Sequence, residues 1–245
     1  MRGPVTAVLA VALVLGRGGR FSDQPCSSGP GRRDRPIPRY DLWTPTTQVF
    51  DNGDGTFSAT VGSGPIQAPD PTSDTGWSAI NTDLLATQDG LEPQSTDADI
   101  AFSDGTDDTA PVASVSQDGV SLSIASSGDL PAPAISGDTA TYADVSPGVD
   151  ETLHATAQGF EASYVIDSPA DAPASIDVPL NVQGLTASLD GQGGLVLTDP
   201  VGNQVGGANP AVMYGSQMDP DTGLPTVQQV VPATLVEGQD GRRSD

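Results

Sequence analysis

Val120, Leu122 and Ile124 alternate with Ser121 and Ser123, a period of two that gives an extended strand one apolar face and one wet face. Residues 112–116 also read as a strand. Gln117-Asp118-Gly119 lies between the two runs and supplies residues that accept positive φ, so 112–125 is expected to form a hairpin. A second hairpin is expected across Asp51-Asn52-Gly53-Asp54-Gly55, which joins runs at 47–50 and 56–61. Further runs of Val, Ile, Leu, Phe and Tyr predict strands at 77–80, 100–103, 139–144, 152–156, 161–166, 176–182, 185–189 and 195–198. Asp190-Gly191-Gln192-Gly193-Gly194 joins the last two. Stretches 70–74, 104–110 and 167–174 are polar or Pro-rich and read as exposed loops, and no helical stripe of useful length competes. Strands at about ten-residue spacing, each with one apolar face to bury, predict an all-β fold, an antiparallel β-sandwich-like domain of many short strands.

Composition agrees with that pattern. Hydrophobic content of 36% and aromatic content of 4% are lean, while 29 Gly and 22 Pro in 245 residues suit short strands and turns better than long helices. The same leanness, with a net charge of −23, also fits a chain too polar to fold, and the period-2 apolar runs argue against that alternative. The apolar signal extends over 46–216, the expected domain. Residues 217–245 thin out into a linker or chain end, and 21–45 read as a low-complexity linker between terminal segments expected to be flexible.

Met1 and Arg2 precede an apolar run at 5–15, followed by Gly16 and Arg17, and this order reads as an export leader over 1–20. Eleven apolar or small residues are too few to span a bilayer as a helix. No A-x-A cleavage site follows, and the Gly-, Arg- and Pro-rich stretch 16–39 changes composition abruptly, so a different start codon or frame is the alternative. Export implies an extracellular or cell-surface location.

Charge sharpens the picture most. No Lys or Arg occurs between Tyr40 and Gly241, and of the thirty-two acids only Asp23, Asp34 and Asp245 fall outside that interval, leaving twenty-nine within it. Nucleic acid, phosphorylated ligands and anionic membranes are poor partners for such a surface, because each needs basic side chains to offset its charge. Carboxylate repulsion favours expansion at low ionic strength and suits a saline or calcium-rich exterior, although solubility alone also selects acidic residues. The single cysteine, Cys26, leaves the body without a disulfide of its own.

Candidate chemistry is sparse. The single histidine, His154, sits between Leu153 and Ala155 in an expected strand, shares a face with Thr152 and Thr156, and has no G-x-S-x-G elbow to serve. One His and one Cys make no zinc site. Asp107-Asp108 and Asp150-Glu151 are adjacent pairs that a strand turns to opposite sides, whereas glycoside hydrolysis needs two carboxyls flanking one bond. Turns at 51–54, 104–108 and 219–221 are rich in oxygen and offer weak calcium binding, but none has the spacing of a calcium loop, and the plainer reading is of aspartates bonding their own backbone. Trp43 and Trp77 offer a sugar-stacking face, or else close the core edge. No catalytic, cofactor-binding or metal-ligating residue is assigned, and no enzyme activity is expected.

The ordered segments Phe50-Asp51-Asn52-Gly53-Asp54-Gly55-Thr56, Gly76-Trp77-Ser78-Ala79-Ile80-Asn81 and Asp99-Ile100-Ala101-Phe102-Ser103 form a series. It continues through Ala140-Thr141-Tyr142-Ala143-Asp144-Val145-Ser146-Pro147-Gly148-Val149-Asp150, Gly159-Phe160 and Pro210-Ala211-Val212-Met213-Tyr214-Gly215-Ser216. Over about 46–216 this resembles the N-terminal region of large secreted actinobacterial proteins that carry RHS/YD repeats or laminin-G-like modules. The resemblance implies a non-enzymatic, β-rich secreted or cell-surface module whose activity lies elsewhere in a longer protein. Separately from the resemblance, a glycan or cell-surface partner is the expected kind of ligand. Carbohydrate binding or calcium-assisted adhesion is the alternative function, and a glycan-active enzyme a weaker third.

Overall fold

The computed structural model describes residues 5–8 as backbone only, and residues 35–107, 110–126 and 130–236 in full. The chain is all-β and antiparallel. Its larger sheet runs in the order Ala134–Ser136, Thr139–Ser146, Val149–Ala155, Phe160–Ile166, Val5–Val8, Val212–Gly215, Gln228–Val230. A second sheet runs Leu180–Gln183, Val120–Ile124, Ala113–Gln117, Asp99–Phe102, Leu91–Ser95, Asn81–Ala86. Three smaller sheets complete the fold: Thr186–Leu189 with Leu195–Thr198 and Gln204–Ala208, Ile37–Pro38 with Thr47–Asp51 and Phe57–Val61, and Gln67–Pro69 with Trp77–Ala79.

The two large sheets bury their apolar faces against one another. Along Val149–Ala155 every second residue is buried, and Leu153 and Ala155 meet Ile100, Phe102, Val115, Leu122 and Ile124 of the other sheet in one core. Phe102 and Phe160 cross edge to face at 6.0 Å and 87°, the arrangement favoured by opposed ring quadrupoles. The Tyr142 hydroxyl donates to the Ser103 carbonyl at 2.6 Å, so its polar end is satisfied inside the core. Leu197 of the Thr186–Ala208 meander is fully buried in the same core.

The expected hairpin at 112–125 forms as Ala113–Gln117 paired with Val120–Ile124, with Leu122 and Ile124 buried and the serines on the other face. Asp118 and Gly119 have φ of 52° and 81°, as a two-residue turn matching the sheet twist requires. The hairpin at 51–55 forms as expected. The run at 176–182 is strand only over Leu180–Gln183, because Pro179 immediately before it removes a ladder donor. Pairing also extends beyond 46–216, since Ile37–Pro38 joins Thr47–Asp51 and Gln228–Val230 joins Val212–Gly215. The expected leader over 1–20 falls outside the described residues except for Val5–Val8, as do Cys26, Asp108 and residues 237–245.

Candidate functional site

A groove of about 590 Å³ lies between the Gln67–Ala79 hairpin and the outer face of the six-stranded sheet. Alternation in the sheet supplies its floor. Ile100 and Phe102 point into the core, which turns Asp99 and Ala101 outward, and Val115 likewise turns Ser114 and Ser116 outward. Glu92 and Gln94 extend the floor along the next strand, and Asp70, Thr72 and Ser78 form the wall. The lining mixes carboxylate, hydroxyl and amide side chains with proline, alanine and isoleucine, and holds no aromatic ring and no basic group.

Hydrogen bonds hold the wall. Gln67, almost fully buried, donates from Nε2 to the carbonyls of Thr44 at 2.7 Å and Thr47 at 3.3 Å, and its Oε1 accepts from Gln48 at 2.7 Å. These bonds tie the hairpin to the Thr47–Asp51 strand. Asp70 Oδ1 accepts from the Thr72 amide at 2.8 Å and the Thr72 hydroxyl at 2.6 Å, while Oδ2 accepts from Ser78. With the Ser78 hydroxyl as the largest cause, these donors pull Asp70 down to about 2, so the wall carries a fixed negative charge at neutral pH.

Trp77 ties that wall to the Tyr40 segment, and neither tryptophan stands free. Trp77 donates Nε1 to the Tyr40 carbonyl at 3.3 Å, and Trp43 donates to the Val49 carbonyl at 3.0 Å. Trp43 also packs edge-on against Tyr40 and Phe50 at 4.6 and 5.9 Å. Both rings are half-buried.

His154 points away from the core, as alternation predicts, and its Nε2 lies 3.0 Å from Asp138 Oδ2. Its Nδ1 is shielded from solvent and makes no hydrogen bond. Asp150 and Glu151 face opposite sides, as expected: Asp150 accepts the Asp144 amide at 2.8 Å on the outer face, while Glu151 is buried. Asp144 has φ of 54° at the irregularity in Thr139–Ser146, so this bond stabilises a strained turn of the strand.

Glu151 is the buried carboxylate of the described core. It lies opposite Tyr142 on one neighbouring strand and Tyr164 on the other, and Tyr164 donates its hydroxyl to Oε1 at 3.1 Å. Burial pushes Glu151 above the usual carboxylate range, only partly offset by the Tyr164 bond. Burial and the Glu151 charge both push the Tyr142 and Tyr164 hydroxyls up.

The turn aspartates behave as the plainer reading says. Asp51 accepts from Gly53, Asp54 from Thr56, Asp104 from Thr106 and Asp219 from Asp221 and Thr222, all through local backbone amides. Asp190 and Asp199 repeat the device at the turns of the Thr186–Ala208 meander. Among the described residues no group of three or more His, Cys, Asp or Glu side chains is placed to hold a metal ion, and no helix is long and apolar enough to cross a membrane.

The groove was not legible in the sequence. Asp70 reads there as a loop residue, and only the tertiary approach of the hairpin sets it beside Asp99. Glu151 did carry a signal, since it stands in phase with Val149 and Leu153. No family model, no curated protein and no solved structure matches the chain.

Proposed function

We propose that the chain is a non-enzymatic β-rich module of a secreted or cell-surface protein, the N-terminal part of a larger polypeptide of the RHS-repeat kind. The observation that carries this reading is the division of polar chemistry in the fold. The buried titratable groups Glu151, Tyr142 and Tyr164 are engaged inside the sandwich, while the outer faces carry serine, threonine and locally bonded aspartate, with no Lys or Arg between Tyr40 and Gly241. Such a surface keeps a module soluble and repels anionic polymers, which suits display outside the cell. The 1–20 leader reading and the ordered series over 46–216 point the same way. An antibody against the sandwich, applied to the natural source on an immunoblot, should detect a band well above the 24.8 kDa of this chain. A band at that mass alone would overturn the larger-protein part of the reading.

The groove favours a second reading, carbohydrate binding. Its hydroxyl, amide and carboxylate lining matches the donors and acceptors of a sugar, although no ring is available to stack on a pyranose. A glycan array probed with the native chain and with Asp99→Asn tests it. Binding that Asp99→Asn abolishes supports the reading, and an array with no binder, or binding equal in both, removes it.

A further inference from the structure

The seven-stranded sheet is interrupted in chain order at one place. Val5–Val8 lies between Phe160–Ile166 and Val212–Gly215, antiparallel to both, with Val5 opposite Ile166 and Gly215, Thr6 opposite Val165 and Tyr214, and Ala7 opposite Tyr164 and Met213. Within the sheet, the Val212–Gly215 and Gln228–Val230 pair meets the other strands only through this segment. The same residues belong to the apolar run that reads as an export leader. Removing the leader would leave two strand edges facing each other across the width of one strand, each with unpaired N–H and C=O groups. Such edges are templates for an added strand.

We propose that the seat between Phe160–Ile166 and Val212–Gly215 is a strand-acceptor site, filled after leader removal by an extended strand from a partner polypeptide. This rests on the leader reading. The seat specifies its occupant's chemistry. Ile166 and Tyr164 belong to the buried face and form an apolar cluster with Val149, so donor positions opposite them must be apolar, while the position opposite half-buried Val165 tolerates a threonine or serine. Twenty-nine carboxylates with no basic residue between Tyr40 and Gly241 favour a donor that is neutral or flanked by Lys or Arg. Residues 2–9, Arg-Gly-Pro-Val-Thr-Ala-Val-Leu, have this character and serve as the probe.

The test uses the exported chain purified from culture medium, with its N-terminus read by mass spectrometry. A chain starting beyond residue 20 should bind a labelled peptide of residues 2–9 saturably at one to one. Binding should slow hydrogen exchange at 160–166 and 212–215. The Thr6→Pro peptide should bind about tenfold or more weakly, because proline removes a ladder donor from a strand bonded on both sides. Failure to bind, or equal binding of both peptides, overturns the acceptor site and leaves the leader reading standing. A chain still starting at Met1 overturns the leader reading and with it the exchange of occupants proposed here. The seat itself is then read in that chain, where Thr6→Pro should speed exchange at 160–166 and 212–215 but not at 113–117, and unchanged exchange denies the seat as well.

Discussion

The Tyr164 hydroxyl donates to Glu151 Oε1 at 3.1 Å across neighbouring strands, inside a face otherwise built from Val149, Leu153 and Ala155. Holding a carboxylate there has a pH-dependent cost. Burial raises Glu151 above its ordinary value of 4.5, so the folded state binds more protons than the unfolded chain in the interval between the two values. The stability this group contributes is fully present below about 4.5 and is lost as pH rises through the folded value. Glu151→Gln keeps an acceptor for Tyr164 and removes the charge. Its stability relative to the native chain should therefore grow as pH is raised from 4 to 8, measured by urea unfolding across that range. A difference that stays constant with pH would show that the carboxylate does not titrate in a buried site.

Leu122 is fully buried and Ser123, its neighbour, lies on the other face between Ser114 and Asn181. Leu122→Asp loses at least the ~2–5 kcal/mol of an emptied core leucine and adds an unpaired charge, so it should prevent folding. Ser123→Asp should cost about 0.5 kcal/mol. Circular dichroism melts of the two variants separate them, and equal stability would contradict the assignment of faces.

Gly90 has φ of 125°, and a Cβ on it would lie 2.4 Å from the Phe102 carbonyl oxygen. Position 90, in the turn from Asn81–Ala86 into Leu91–Ser95, therefore admits no side chain. Gly90→Ala should destabilise by about 1–3 kcal/mol through backbone strain, read as a lower urea midpoint with an unchanged slope. Gly53→Ala, with φ of 77° and open space around it, should cost less.

How much of this was legible in the sequence follows the strength of the alternation. Val120 to Ile124 carries three apolar residues in phase around a two-residue turn, and its pairing and buried face are as expected. Leu91–Ser95 holds Pro93 and one large apolar residue, and Gln204–Ala208 holds two glycines, so neither has a period of two to read. They are strands because neighbouring strands supply partners, which is tertiary information. Asp150 and Glu151 were separable by face from adjacency alone. That Asp70 and Asp99 line one groove depends on Gln67 docking onto the carbonyls of Thr44 and Thr47, a contact between residues about twenty apart.

Twenty-nine carboxylates without Lys or Arg to balance them repel one another more in the compact state than in the unfolded chain. Screening should therefore raise the melting temperature in a graded way with sodium chloride, and further with calcium chloride at equal ionic strength. A melting temperature indifferent to both salts would show that repulsion does not govern the stability of this fold.

The central claim is display outside the cell, and it is tested most directly by labelling intact cells of the natural source with an antibody against the folded sandwich, beside the same cells after lysis. The account predicts that intact cells or their medium hold most of the signal. Signal that emerges only on lysis, in the cytosolic fraction, would contradict it.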